Sequence, residues 1–152
     1  MGFAIDIREV SGCICRRARR TTRQLTQVYD KALEPSGLTA NQFDLLTNLF
    51  GAALTDGKSL PIGVLATRMG MHPTTLTRDL RPLIAKGFVT DGRDPRDGRI
   101  RAVRITGRGR DKLRKAVPLW RNAQRKIEGT LGVEASRALS ALLDLTSTKL
   151  TA

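Results

Sequence analysis

Apolar residues recur every three or four positions along most of the chain, a spacing that predicts helices separated by short breaks. The first predicted helix runs from about Ser11 to Leu33 and ends at Glu34-Pro35-Ser36-Gly37. A second helix is predicted to start at Thr39 and Gln42, which have the spacing of a capping box. Its apolar residues are Phe43, Leu46, Leu49 and Phe50.

The stretch from Ser59 to Gly87 has the spacing of a helix-turn-helix. A short apolar-faced helix is predicted to break at Gly70, and a second helix is predicted to begin at Pro73, which suits the first helical position. Pro82 predicts a bend inside this second helix. Its buried stripe is predicted to consist of Leu76, Leu80, Leu83 and Ile84. The residues left facing outward are Thr74, Thr75, Thr77 and Arg78.

After Gly87 the hydrophobic period changes to two, which predicts strands at Phe88–Thr90 and Arg101–Ile105 joined by a charged hairpin. A helix is predicted from Thr106, with a kink at Pro118, and a last helix from about Val133. That last helix carries more apolar surface than one small domain buries, which indicates a dimer contact.

The predicted fold class is therefore mostly α with a small β-wing in a single chain of 152 residues. Residues 39–106 form the winged helix-turn-helix lobe in this prediction. Residues 1–36 and 107–152 are predicted to form dimerisation helices on either side of it.

The chain is strongly basic, with 27 Lys and Arg against 14 Asp and Glu, a net charge of +13 and a pI near 11.2. Such a surface attracts polyanions, either nucleic acid or an anionic membrane. No apolar stretch is long enough to span a membrane, and the N-terminus has no apolar signal core, so we expect a cytoplasmic protein. Aromatic residues make up 4% of the chain, which disfavours stacking on single strands and leaves duplex DNA.

The sequence contains few residues of the kinds that bind metals or form a catalytic site. The chain has one histidine and two cysteines, Cys13 and Cys15, so no metal site and no cofactor are expected. There is no nucleophile–base arrangement and no glycine-rich phosphate loop, which disfavours an enzyme. The competing interpretations are a sequence-specific DNA-binding protein and a nonspecific architectural DNA-binding protein.

Four segments carry a more specific signal: residues 65–78, 83–89, 94–99 and 105–109. In these the chain resembles the MarR family of bacterial transcription regulators. Cys13-Ile14-Cys15 and the segment Gly37–Phe43 are similar to one subgroup of that family. The resemblance implies a homodimer that places two recognition helices in successive major grooves of a palindromic operator and two wings in the adjacent minor grooves.

The resemblance also implies roles for particular residues. Thr74, Thr75, Thr77 and Arg78 are expected to contact bases and phosphates, and Arg78 has the geometry to read guanine bidentately. Arg68 and Arg81 are expected to hold the DNA backbone. In the wing, Arg96 or Arg99 is expected to enter the minor groove. Asp94 is expected to shape the wing through a bidentate ion pair with Arg96 or Arg99.

The regulator is expected to be a repressor relieved by a small-molecule or oxidant effector. Cys13 and Cys15 lie near a helix N-terminus beside arginines, which favours thiolates and oxidation, as in MarR-like peroxide sensors. The alternative is that both are small residues buried at the dimer contact. An effector pocket is expected near Tyr29, Phe43 and Trp120, and the alternative for these three is core packing.

Overall fold

A computed structural model of the chain describes residues 6–56 and 59–151, so the first five residues of the predicted N-terminal segment lie outside the described part. The helices are α1 (Ile7–Ser11), α2 (Ile14–Leu33), α3 (Ala40–Asp56), α4 (Ile62–Arg68), α5 (Pro73–Ala85), α6 (Gly107–Leu131) and α7 (Val133–Thr151). The strands are β1 (Leu60–Pro61), β2 (Val89–Arg93) and β3 (Arg101–Ile105). The fold is mostly α with a small β-wing, which confirms the predicted class.

Within the described residues, the three strands form one antiparallel sheet in the order β1-β3-β2. Val89 lies opposite Ile105 and Arg93 opposite Arg101, so β2 and β3 form the hairpin of the wing. Strand β2 extends through Arg93, beyond the predicted end at Thr90, because β3 pairs with residues that look like turn formers. Strand β1 was not predicted, since two residues are too few to show a period.

The core of the winged lobe is made where α3, α4, α5 and the sheet meet. Leu46, Leu65, Leu80 and Val103 come from these four elements, and each is fully buried. The capping box at the start of α3 is confirmed by two reciprocal hydrogen bonds of 3.2 Å. Gln42 N–H donates to Thr39 Oγ1, and Thr39 N–H donates to Gln42 Oε1.

The long helices α2 and α6 pack along each other, and the hydroxyl of Tyr29 donates to Gln124 across this contact. Helix α5 continues through Pro82 and α6 through Pro118, so neither proline ends its helix. Helix α2 begins at Ile14 and not at Ser11, because a break at Gly12 and Cys13 separates it from the short α1.

Exposed apolar side chains concentrate at the two ends of the chain. At these ends they are Ile7, Val10, Ile14, Val133, Leu142, Leu143, Leu145 and Leu150, and the described residues Leu54, Val64, Ile100 and Leu131 are exposed elsewhere.

No helix in the described part of the chain is both long and apolar enough to cross a membrane.

Candidate nucleic-acid interface

A tight turn joins α4 to α5 and sets the direction of the second helix. Gly70 has φ +60°, a left-handed conformation that glycine adopts without the steric cost other residues meet. The N–H of Met71 donates to the carbonyl of Ala66 at 2.9 Å, which closes the end of α4. His72 then caps α5, since its Nδ1 accepts the N–H of Thr74 at 3.3 Å.

Helix α5 buries Leu76, Leu80 and Leu83 against the core and turns its other face to solvent. Thr74, Arg78 and Arg81 are exposed, whereas Thr75 and Thr77 are half-buried. Arg68, in the last turn of α4, is exposed as well. The structure therefore places all six predicted contact residues of the helix-turn-helix at or near its surface.

The side chain of Arg78 is 74% exposed and retains most of its donors. Its Nε lies 3.5 Å from Asp79 Oδ1, a long contact. Asp79 in turn accepts from Asn41 Nδ2 at 2.9 Å, so its carboxylate is held by α3. The guanidinium of Arg78 is left free to make a bidentate contact with a ligand.

The wing loop is organised around Asp94, which is only 4% exposed. Asp94 Oδ1 accepts the backbone N–H of Arg96 at 2.8 Å, and Arg96 Nε lies 3.6 Å from the same oxygen. These hydrogen bonds from Arg96, the backbone one first, lower the pKa of Asp94. The expected partner is therefore Arg96, and the guanidinium contact is longer than the bidentate pair that was expected. The hydrogen bond from the backbone N–H of Arg96 to Asp94 is therefore the contact that fixes the shape of the wing loop.

Both wing arginines of the sequence motif reach solvent. The side chain of Arg96 is 68% exposed, and Arg99 is also exposed. Asp97 Oδ1 accepts the N–H of Arg99 at 2.9 Å, a second turn stabilised by an aspartate. The tip of the hairpin is therefore a folded loop with two cationic side chains projecting from it.

Sequence reasoning missed Arg101, which joins the wing to α5. Its Nε and Nη2 donate to the two oxygens of Asp91 at 2.9 and 2.5 Å, a bidentate pair across the hairpin. Its Nη1 lies 3.5 Å from Thr77 Oγ1 on the second helix. The hydrogen bonds from Arg101 lower the pKa of Asp91. No local sequence pattern pairs Arg101 with Thr77, because they meet only through the tertiary fold.

Tyr29, Phe43 and Trp120 line one cavity of about 520 Å³ between the long helices and α3. The rings of Phe43 and Trp120 are stacked, with centroids 6.1 Å apart. Asp44 also lines this cavity, and partial desolvation of its carboxyl group raises its pKa. Burial also raises the pKa of Tyr29, and the charge of Glu128 adds to that effect. The three predicted pocket residues therefore lie together beside a carboxyl group whose pKa is raised.

Cys13 and Cys15 are both exposed in the single chain, and neither is in a disulfide. Cys13 directly precedes α2, and its side chain makes no capping hydrogen bond. The neighbouring Arg16 and Arg17 are exposed in the first turn of that helix.

Comparison with known proteins identifies the family. The sequence profile of the MarR family matches residues 38–100. The transcriptional regulator MosR of M. tuberculosis is 37% identical over 90% of this chain and 96% of its own, with a TM-score of 0.72. The chain belongs to the MarR family. As a member of the MarR family it is a transcriptional regulator and not an enzyme.

Two structures of DNA complexes are also similar to this chain. A structure of MosR in complex with DNA is 36% identical, with a TM-score of 0.73, over 90% of this chain and 97% of that one. A mutant of MarR from E. coli in complex with operator DNA has a TM-score of 0.79 over 93% of this chain and 99% of its own. At 22% identity that similarity concerns the fold.

The HTH-type transcriptional regulator YdgJ from Bacillus subtilis is 26% identical over 104 residues. That match covers 68% of this chain and about 60% of the length of YdgJ.

Proposed function

We propose that this MarR-family chain is a dimeric, sequence-specific DNA-binding repressor that acts in the cytoplasm and is released by a small-molecule or oxidant effector. The observation that carries the proposal is the position of Arg78, exposed on a helix whose opposite face is fully buried. A rigid helix with a free guanidinium is suited to the major groove, where arginine reads guanine through O6 and N7. The related MosR is known in complex with DNA.

We assign each contact residue to the major groove, the minor groove or the phosphate backbone of the DNA. Thr74, Thr75, Thr77 and Arg78 are assigned to the major groove, with Arg68 and Arg81 on phosphates. Arg96 and Arg99 at the wing tip are assigned to a minor groove, where a narrow A·T-rich segment attracts a guanidinium. Asp94 contacts no DNA in this proposal and keeps the loop in shape.

Dimerisation is supported by the exposed apolar side chains of α1 and α7. Leu142, Leu143 and Leu145 are each more than half exposed in the single chain, and Leu150 is 82% exposed. Several large apolar side chains exposed on one helix are typical of an interaction site. Residues 1–36 and 107–152 are therefore assigned to a homodimer that spaces two winged lobes, residues 39–106, on a palindromic operator. Sedimentation equilibrium tests this assignment, and a monomer at micromolar concentration contradicts it.

The effector is assigned to one of two sites. The cavity beside Tyr29, Phe43 and Trp120 is large enough for a small molecule, and its walls include both apolar rings and a carboxyl group. Cys13 and Cys15 are the second site, because exposed thiols beside cations react with peroxides. Either event lowers DNA affinity if it changes the spacing of the two recognition helices.

A competition titration tests the proposal against the nonspecific architectural alternative. The probe is a 30-base-pair duplex that the protein enriches from a random library, and the competitor is an arbitrary duplex of the same length. At physiological salt a specific regulator prefers its site by about 10³ or more. Equal competition by the arbitrary duplex would establish the architectural alternative, for which the charge of +13 is sufficient.

A further inference from the structure

One side chain connects the two DNA-facing parts of the lobe. Arg101 lies on β3 of the wing, and its Nη1 lies 3.5 Å from the hydroxyl of Thr77 on α5, a hydrogen bond as long as the contact between Arg78 and Asp79. The same guanidinium is fixed by two hydrogen bonds to Asp91 on β2, at 2.9 and 2.5 Å. Its side chain is 38% exposed and that of Asp91 33% exposed, so the pair lies at the edge of the interface.

The strand register explains why this face meets the helix. Asp91 lies opposite Val103, and Arg93 lies opposite Arg101. Asp91 and Arg101 are therefore diagonal neighbours on one face of the hairpin, a spacing within reach of long side chains. Val103 on that face is fully buried. The face that packs into the core near the base of the hairpin thus becomes polar where it passes α5.

The contact also determines how Thr77 is presented. A threonine hydroxyl has one proton and two acceptor lone pairs. When Arg101 donates to Thr77 Oγ1, the proton of the hydroxyl remains free to donate to a phosphate oxygen or a base acceptor. A wing that moved away from α5 would break this arrangement. Strand β1 pairs only with Ala102 and Val103, so from Arg101 outward the hairpin is two-stranded and has little rigidity of its own.

We propose that Arg101 is a positioning residue that fixes the wing against the second helix of the helix-turn-helix and orients the hydroxyl of Thr77, while Asp91 prevents Arg101 from acting as an independent phosphate contact. This inference rests on the proposed sequence-specific DNA binding. It separates Arg101 from Arg78 and Arg96, whose guanidinium groups are largely exposed. The wing and α5 then bind the minor and major grooves at a fixed position relative to each other.

Two substitutions, one that leaves the net charge unchanged and one that raises it by one, test this role. Arg101→Lys keeps the charge but removes the bidentate fork, and Asp91→Asn keeps the shape but releases the guanidinium. The readouts are the affinities for the library-selected duplex and for the arbitrary duplex, and the dependence of both on salt. We expect each variant to lose about tenfold in the ratio of the two affinities, the size of effect that one misplaced base contact produces. For Asp91→Asn the loss of preference is expected although the added positive charge tightens binding to the arbitrary duplex.

A simple phosphate contact predicts a different result. In that case Arg101→Ala lowers the affinity for both duplexes by the same factor and lowers the salt slope by about 1. Asp91→Asn then raises the affinity for both duplexes equally. That pattern, or an unchanged affinity ratio in Arg101→Lys and Asp91→Asn, overturns the inference. If the unmodified protein already shows no preference, the proposed function fails first, and the inference fails with it.

The ion pair between Arg114 and Asp111 provides matched controls. Arg114 Nη1 lies 2.8 Å from Asp111 Oδ1 on α6, and both side chains are more exposed than the Arg101 pair. Arg114→Lys and Asp111→Asn make the same chemical changes outside the proposed contact, and we expect the affinity ratio to stay within about twofold of the unmodified protein. A double-mutant cycle between Thr77→Val and Arg101→Lys measures the coupling directly. Additive losses in the affinity ratio contradict a shared contact, and a double variant no worse than Thr77→Val supports it.

Discussion

Replacing Gly109 by alanine is predicted to destabilise the lobe at the point where the wing joins α6. Gly109 lies in the first turn of α6, and its N–H donates to Oγ1 of the capping residue Thr106 at 3.0 Å. A Cβ added at this position would lie 2.1 Å from the carbonyl oxygen of Phe88 and 2.8 Å from Ile105 Cγ1. The carbonyl of Phe88 is itself held by the N–H of Thr106 at 3.0 Å, so it is not free to swing away.

The magnitude follows from opposing effects. Forcing an extra carbon into a packed site costs about 1–3 kcal/mol and occasionally more. Here the gap to Phe88 must open by roughly 1 Å, against backbone, which favours the upper end of that range. Separating Thr106 from Gly109 loses a helix cap, a further cost of about 1 kcal/mol. Alanine recovers about 1 kcal/mol through its better helix propensity. The net prediction is a destabilisation of about 3 kcal/mol.

Gly51→Ala is the control for this prediction. Gly51 lies inside α3, is exposed, and has no atom within 4 Å of an added Cβ. It should gain up to about 1 kcal/mol from propensity alone. Urea unfolding at a fixed protein concentration measures the free energy of unfolding of both variants. In thermal unfolding, a loss of about 3 kcal/mol corresponds to a decrease of roughly 6–12 °C in Tm for a chain of this size. A Gly109→Ala variant within 0.5 kcal/mol of the unmodified protein, or equal destabilisation of Gly51→Ala, would refute the reasoning.

The remaining predictions concern DNA and acid. Arg78→Ala should cost about 1–3 kcal/mol in binding and relax preference at one base pair of the selected duplex; unchanged preference in a base-substitution series contradicts this role. Arg96→Ala should weaken binding and reduce the salt slope by about 1, and an equal slope argues against a phosphate or minor-groove contact. Because the folded pKa of Asp94 is lowered, its carboxylate stabilises the fold above the ordinary value of 3.8 and loses that effect as pH falls through the folded pKa. The stability advantage over Asp94→Asn should therefore shrink in acid, and an advantage independent of pH contradicts it. Replacing Cys13 and Cys15 by serine should abolish any loss of DNA binding on treatment with hydrogen peroxide; a response that persists excludes the thiols.

Periodicity was sufficient to predict the elements with strong amphipathic patterns. The stripe Leu76, Leu80 and Leu83 has helical spacing, and all three side chains are fully buried. The capping box of Thr39 and Gln42 was predictable for the same reason, since both partners lie within one turn of sequence. Local interactions that recur at fixed spacing leave a pattern in the sequence.

Features that depend on two distant segments left no such pattern. Strand β1 consists of Leu60 and Pro61, and it is a strand only because β3 lies beside it. The residues Asp91 to Arg93 look like a turn, yet they continue β2 because they pair with β3. The cavity residues Tyr29, Phe43 and Trp120 were predicted from the resemblance to a family. Their own sequence patterns indicate only core packing.

The net charge of the chain is another property whose consequence for DNA binding depends on contacts between distant residues. Counting residues gives +13 and treats all arginines as equivalent. The structure distinguishes them: the fork of Arg101 is taken up by Asp91, whereas Arg78 and Arg96 keep long contacts and largely exposed side chains. An arginine whose donors are already satisfied adds less to phosphate binding than one whose donors are free, because its carboxylate partner cancels its charge locally. Affinity for arbitrary DNA should therefore follow the number of unpaired arginines on the DNA-facing surface, and preference for one sequence should follow the paired one that fixes their positions.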